Sequence, residues 1–135
     1  MEWLADDEPE VIALPIDRDG SVEVDGLGGE RFVGVVAAAE PEELLALLTL
    51  LRDHLAEVIF TVDPDRPWRW EQEAPTVVLE RGWLGQDFVF EVPGLVPAVR
   101  YAQHALRRER DRWQGSGVLV VASAAGIDAV RADLS

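Results

Sequence analysis

Between residues 41 and 58, Leu44, Leu47, Leu48, Leu51, Leu55 and Val58 recur at every third or fourth position and form one wide apolar stripe. Pro41 suits the first turn of a helix, where its missing N–H costs nothing, and Glu42 and Glu43 favour the positive end of the helix dipole. The spacing predicts a helix over residues 41–57, with Arg52, Asp53 and Glu57 outside the stripe. A stripe that broad has to be buried, and its neighbours are strand-like. Residues 31–37 and 118–122 are almost unbroken apolar, β-branched runs, the pattern of strands covered on both faces. A helix laid on a sheet is therefore the minimum architecture.

The remaining pattern fills this in. Residues 11–16 read as a first strand and Asp17, Arg18, Asp19 and Gly20 as a turn. Residues 21–25 alternate polar and apolar, the period of a strand with one wet face, and residues 26–29 turn the chain again. The first third thus reads as a three-stranded meander. Residues 58–62 return as a strand stopped by Pro64 and Pro67, and residues 76–79 and 87–92 read as a hairpin around residues 82–86. A second helix is expected over residues 97–113, with Val99, Ala102, Leu106 and Trp113 inward and Arg100, Gln103, His104, Arg107 and Arg110 outward. A short helix over residues 127–134 closes the chain. The order βββ-α-β(β)ββ-α-β-α predicts an α+β class: a mostly antiparallel sheet of about six to eight strands, with the two main helices on one face and a short C-terminal helix. Residues 1–135 are expected to form a single domain, with residues 1–9 as a loose acidic arm.

Charge narrows the function classes. The 26 acids and 12 bases leave a net charge of −14, and their distribution is uneven. Residues 1–67 hold 17 acids and 4 arginines, a net of −13, whereas residues 68–135 hold 9 acids and 8 arginines, a net of −1. Phosphate contacts need basic surface, so neither nucleic acid nor an anionic membrane is an expected partner. A basic protein is favoured instead, because opposite charge speeds encounter. There is no cysteine, which excludes disulfides, thiolate ligands and thiol nucleophiles and fits a reducing compartment. The first residues are acidic where a signal peptide needs a basic region, and the longest apolar-rich stretch, residues 44–51, is far short of a membrane span. A cytoplasmic location is expected.

No motif carries a recognisable chemistry. His54 and His104 are the only histidines, and neither has an acid or a second histidine at metal-ligand spacing on its own helix. Asp53 beside His54 is not a pair, because adjacent helical residues diverge. Ser21, Ser116, Ser123 and Ser135 lie outside the strained elbow that exposes a hydrolase serine. Gly26-Leu27-Gly28-Gly29 resembles a phosphate loop only superficially, since a strand-like run follows it and Glu30 would repel phosphate. Asp17 with Asp19, and Asp63 with Asp65, begin like calcium loops but lack the further oxygen ligands. No cofactor or metal is expected, and catalysis is disfavoured.

Binding remains. Trp68, Trp70 and Trp83 concentrate three of the five indoles in one proline-containing segment, where they serve either as partner anchors or as a cover for one sheet face. Arg100, Arg107, Arg108, Arg110 and Arg112 form the one basic stripe, interrupted by Glu109 and Asp111, and could pair with acids of the same chain or of a second copy in a homodimer. The expectation is a non-enzymatic, acidic protein-binding protein of bacterial type, like an immunity protein, an antitoxin or a chaperone, that neutralises a basic partner. Its contact residues would be Asp17, Asp19, Glu23, Asp25 and Glu30, with Trp68, Trp70 and Trp83. The alternative is a small-molecule-binding protein or enzyme with a pocket between helices and sheet, for which His54 and the Trp68/Trp70 ribbon are the first candidates.

Overall fold

The structure, a computed structural model, describes residues 2–5, 9–17, 19–69, 76, 78, 88–108 and 115–134. Its elements in chain order are β1 (Glu2–Ala5), β2 (Glu10–Pro15), β3 (Phe32–Val36), α1 (Pro41–Leu51), β4 (Leu55–Phe60), β5 (Phe88–Glu91), α2 (Leu95–Arg108), β6 (Gly117–Ala122) and α3 (Ala124–Leu134). The six strands form one sheet in the order β1-β2-β6-β3-β4-β5. The mixed α+β class expected from the sequence holds.

The pairing does not follow the expectation. Only β1 against β2 is antiparallel; β2–β6, β6–β3, β3–β4 and β4–β5 are all parallel. The helices do not share a face either. Leu44, Leu47, Leu48 and Leu51 of α1 pack with Ile12, Leu14, Val36 and Phe60 on one side. Ala98, Val99, Ala102 and Leu106 of α2, with Ile127 and Val130 of α3, pack with Val11, Val33, Val35 and Ile59 on the other. A sheet covered on both faces needs strands without a wet side, and β3 and β6 are buried at every residue.

The expected meander is absent for the same reason. β2 and β3 are parallel to β6, which lies between them, so residues 16–31 form a crossover, and the turns it does contain, closed by Gly20 N–H to Asp17 O and Leu27 N–H to Val24 O, do not pair β2 with β3. Residues 21–25 are not a strand. Their alternation arises because Val22 and Val24, half-buried, and Leu27, buried, pack on the α1 side of the sheet. The leucine stripe is likewise divided. α1 ends at Leu51, a single 3-10 turn spans Arg52–His54, and Leu55 and Val58 belong to β4 while filling the same core.

Three further differences concern segment ends. Glu2–Ala5, expected in a loose arm, is the edge strand β1, where Trp3 Nε1 donates to Glu10 Oε2 at 3.2 Å and Glu2 pairs with Arg131 of α3. β5 pairs in parallel with β4; of residues 76–79, its expected hairpin partner, only Thr76 and Val78 are described, and both are helical. α2 starts at Leu95, two residues before the expected Pro97, while residues 109–113 of the expected helix lie outside the described residues.

Candidate functional site

In an open parallel sheet the strand ends carry the loops, and a crevice forms where neighbouring connections leave toward opposite faces. Here that point lies between β3, whose chain continues into α1, and β6, whose chain continues into α3 on the other side. The carboxyl ends of the strands gather acids from four connections. Asp17 and Asp19 follow β2; Glu40, Glu42 and Glu43 follow β3; Asp63 and Asp65 follow β4; Glu91 ends β5.

Two of these acids, Asp63 and Glu43, tie separate elements together. Asp63 is completely buried. Its Oδ2 accepts from the backbone N–H of Ser123 at 3.0 Å and the Ser123 hydroxyl at 2.6 Å, while its Oδ1 accepts from the N–H of Asp65 at 2.9 Å. Ser123 Oγ in turn accepts from Gly126 N–H at 3.1 Å, so the serine caps α3 while the aspartate holds the serine. Glu43 links α1 to its surroundings: Oε1 accepts from Ala39 N–H at 3.1 Å, and Oε2 pairs with Arg66. Sequence reading did not single out Ser123 as a cap or Glu43 as a tether. A serine set directly between an apolar strand and a helix-like segment was the available signal for the first.

The acids named from the sequence sit where a partner could reach them. Asp17, Asp19, Glu23, Asp25 and Glu30 are all exposed, and all lie on the crossover between β2 and β3. Asp17 also builds the turn. Its Oδ1 accepts from the N–H groups of Asp19 at 3.0 Å and Ser21 at 3.1 Å, and Ser21 Oγ donates to both carboxylate oxygens. Gly20 completes the turn at φ +79°, a backbone region that side chains oppose. The Ser21 N–H, then its hydroxyl, then the Asp19 N–H hold the Asp17 carboxyl below its ordinary 3.8. The consequence for stability has a definite sign. A carboxyl whose folded value is depressed stabilises the native state above the unfolded value, and that contribution disappears as pH falls through the folded one. The stability difference between the native chain and Asp17→Asn is therefore expected to be full above pH 3.8 and to shrink below it. Urea titrations across that range measure it; a pH-independent difference would discount the turn bonds.

Of the three tryptophans named from the sequence, Trp68 alone lies among the described residues. Trp68 is half-buried and meets Phe60 edge to face, with ring centroids 6.1 Å apart and planes at 76°, so it closes the core on the α1 side. Trp70 and Trp83 lie outside the described residues. His54 is half-buried, its Nδ1 enclosed without a hydrogen-bond partner among the described residues. His104 is exposed on α2 and borders a groove between α2 and α3. No cluster of three or more His, Asp or Glu suited to a metal ion occurs among the described residues. No helix among them is long and apolar enough to cross a membrane.

No protein-family model matches this sequence, and no curated protein or solved structure is significantly similar to it.

Proposed function

We propose that this chain is a non-enzymatic protein-binding protein that captures a basic protein through the acids of its β2–β3 crossover and the adjoining strand ends. The observation that carries the reading is the exposure of Asp17, Asp19, Glu23, Asp25 and Glu30 together on one connection. Exposed Glu40, Glu42, Asp65 and Glu91 extend the same sign of charge across the carboxyl end of the sheet. Surface acids of this kind add little fixed affinity each, yet together they steer and orient a cationic partner. An immunity protein, an antitoxin or a chaperone for a basic protein uses such a surface, and a cysteine-free chain of this kind fits the bacterial cytoplasm.

The test removes charge where no structural bond is lost. Asp19→Asn, Glu23→Gln, Asp25→Asn and Glu30→Gln are combined, with Asp17 kept for its turn. A basic protein captured from native lysate at low salt should associate with the native chain about tenfold faster than with this variant, and the gap should close as salt rises. Equal, salt-independent association of the two would remove the proposal. Gel filtration of the bait alone tests the competing use of the same acids, pairing with the α2 arginines of a second copy in a homodimer.

A second reading, a small-molecule-binding protein, is favoured by one observation. The interfaces between helices and sheet are filled by the two cores, but the groove beside His104 is open and polar.

A further inference from the structure

The parallel strands end level with one another. At their last registers Pro15 pairs with Ala122, Val36 with Val121 and Phe60, and Phe60 with Glu91. Two residues beyond those ends the chain presents Asp17 after β2, Ala124 after β6, Ala38 after β3, Val62 after β4 and Pro93 after β5. In the spatial order of the sheet this row is an acid followed by four apolar residues. Neighbouring strands lie about 4.8 Å apart, so the apolar part spans about 14 Å. Ala38 is buried, whereas Val62, at 37% exposure, and Pro93 and Ala124 face solvent.

A single exposed valine is ordinary surface. This one differs in its setting. Pro93, and Pro64 beside it, have no N–H, so a partner that covers them strands no donor there. The buried bonds from Ser123 to Asp63 fasten the end of β6 to the end of β4, so Ala124 and Val62 keep their spacing before any partner arrives. Carboxylates stand around them: Glu40, Asp65 and Glu91 are all exposed at these strand ends. Of the two arginines on these connections among the described residues, Arg66 is paired with Glu43 and only Arg69 is exposed. The positive ends of α1 and α3 are already answered, by Glu42 and Glu43 and by Asp63.

An apolar centre inside a charged rim is the anatomy of a protein-binding surface. We infer that Val62, with Pro93 and Ala124, is the anchor of the capture surface and takes one bulky apolar side chain of the basic partner, flanked there by lysine or arginine. This rests on the reading that the acids bind a basic protein, and it adds what charge alone does not supply. Exposed carboxylates govern approach, whereas a desolvated apolar contact governs release.

Two labelled pentapeptides of equal charge provide the test, each with four basic residues, around a central leucine in one and a central glycine in the other. Both are titrated against the full chain at low salt by fluorescence anisotropy. The leucine peptide should bind about tenfold more tightly, the effect of partly burying its side chain. Val62→Ser should cut that advantage to about twofold and leave the glycine peptide unchanged, a split that general loosening of the fold would not produce. Thermal melts verify that the variant folds. Glu40→Gln, Asp65→Asn and Glu91→Gln together should weaken both peptides alike. Equal binding of the two peptides, or a leucine advantage untouched by Val62→Ser, would overturn the anchor and leave the acidic reading standing. Failure of both peptides to bind would remove that reading, and the anchor with it.

Discussion

Asp63→Ala is expected to destabilise the fold by about 3–5 kcal/mol, the largest effect of any single polar substitution described here. The estimate follows from what the carboxylate holds. Asp63 is fully buried and accepts three hydrogen bonds, two from Ser123 and one from Asp65. Alanine would leave those donors inside the protein without an acceptor, at about 1–3 kcal/mol each. It would also remove a negative charge from the N-terminal end of α3, where the helix dipole favours it. Ser123 can recover part of the loss by turning its hydroxyl elsewhere, which keeps the estimate below the simple sum. Asp63→Asn retains the size and one acceptor oxygen, and should cost about half as much. Urea unfolding reads both, as a lower midpoint with an unchanged slope. A loss under about 1 kcal/mol for the alanine variant would show that Asp63 does not fasten α3 to the end of β4.

Gly117→Ala is expected to cost about 3 kcal/mol, at the upper end of overpacking penalties. Gly117 opens β6 and pairs with Glu10 at the start of β2. A Cβ at this position would lie 2.6 Å from the backbone oxygen of Glu10 and 2.7 Å from its Cγ. The side-chain atom can swing away, but the oxygen belongs to the β2 backbone and moves only if the β2–β6 ladder opens. Gly29→Ala is the control: nothing lies within 4 Å of its added Cβ, and its effect should stay within about 0.5 kcal/mol. Thermal and urea unfolding of the pair compare them directly. Equal stability of the two variants would mean that the start of β6 can give way.

What was legible in the sequence depended on the range of the interactions. The apolar runs at residues 31–37 and 118–122 identified β3 and β6 because a strand covered on both sides is apolar at successive positions. The same fact was a signal for parallel pairing. It was outweighed by the β2–β3 connection, which contains turn residues, alternating valines and no helix. Those valines alternate because the connection lies across a sheet face, as Val22 and Val24 do, and residues 21–25 therefore imitate a strand. The leucine stripe overran α1 because Leu55 and Val58 satisfy helical spacing and strand burial at once. The exposed acids of the crossover could be named from charge alone. The bond between Asp63 and Ser123 could not, because it spans 60 residues and depends on the order of the strands.

That order also sets a clock on synthesis. β6 enters between β2 and β3, so neither strand has its inner neighbour until residue 122 has been made. Residues 37–122 are 86 positions, which at about 5–20 residues per second take roughly 4–17 s to translate. Through that interval Val33 and Val35 wait beside a gap that no earlier part of the chain fills in the finished sheet. The pace of the ribosome, rather than the propensity of any one segment, thus fixes the earliest moment at which a newborn copy can complete its sheet.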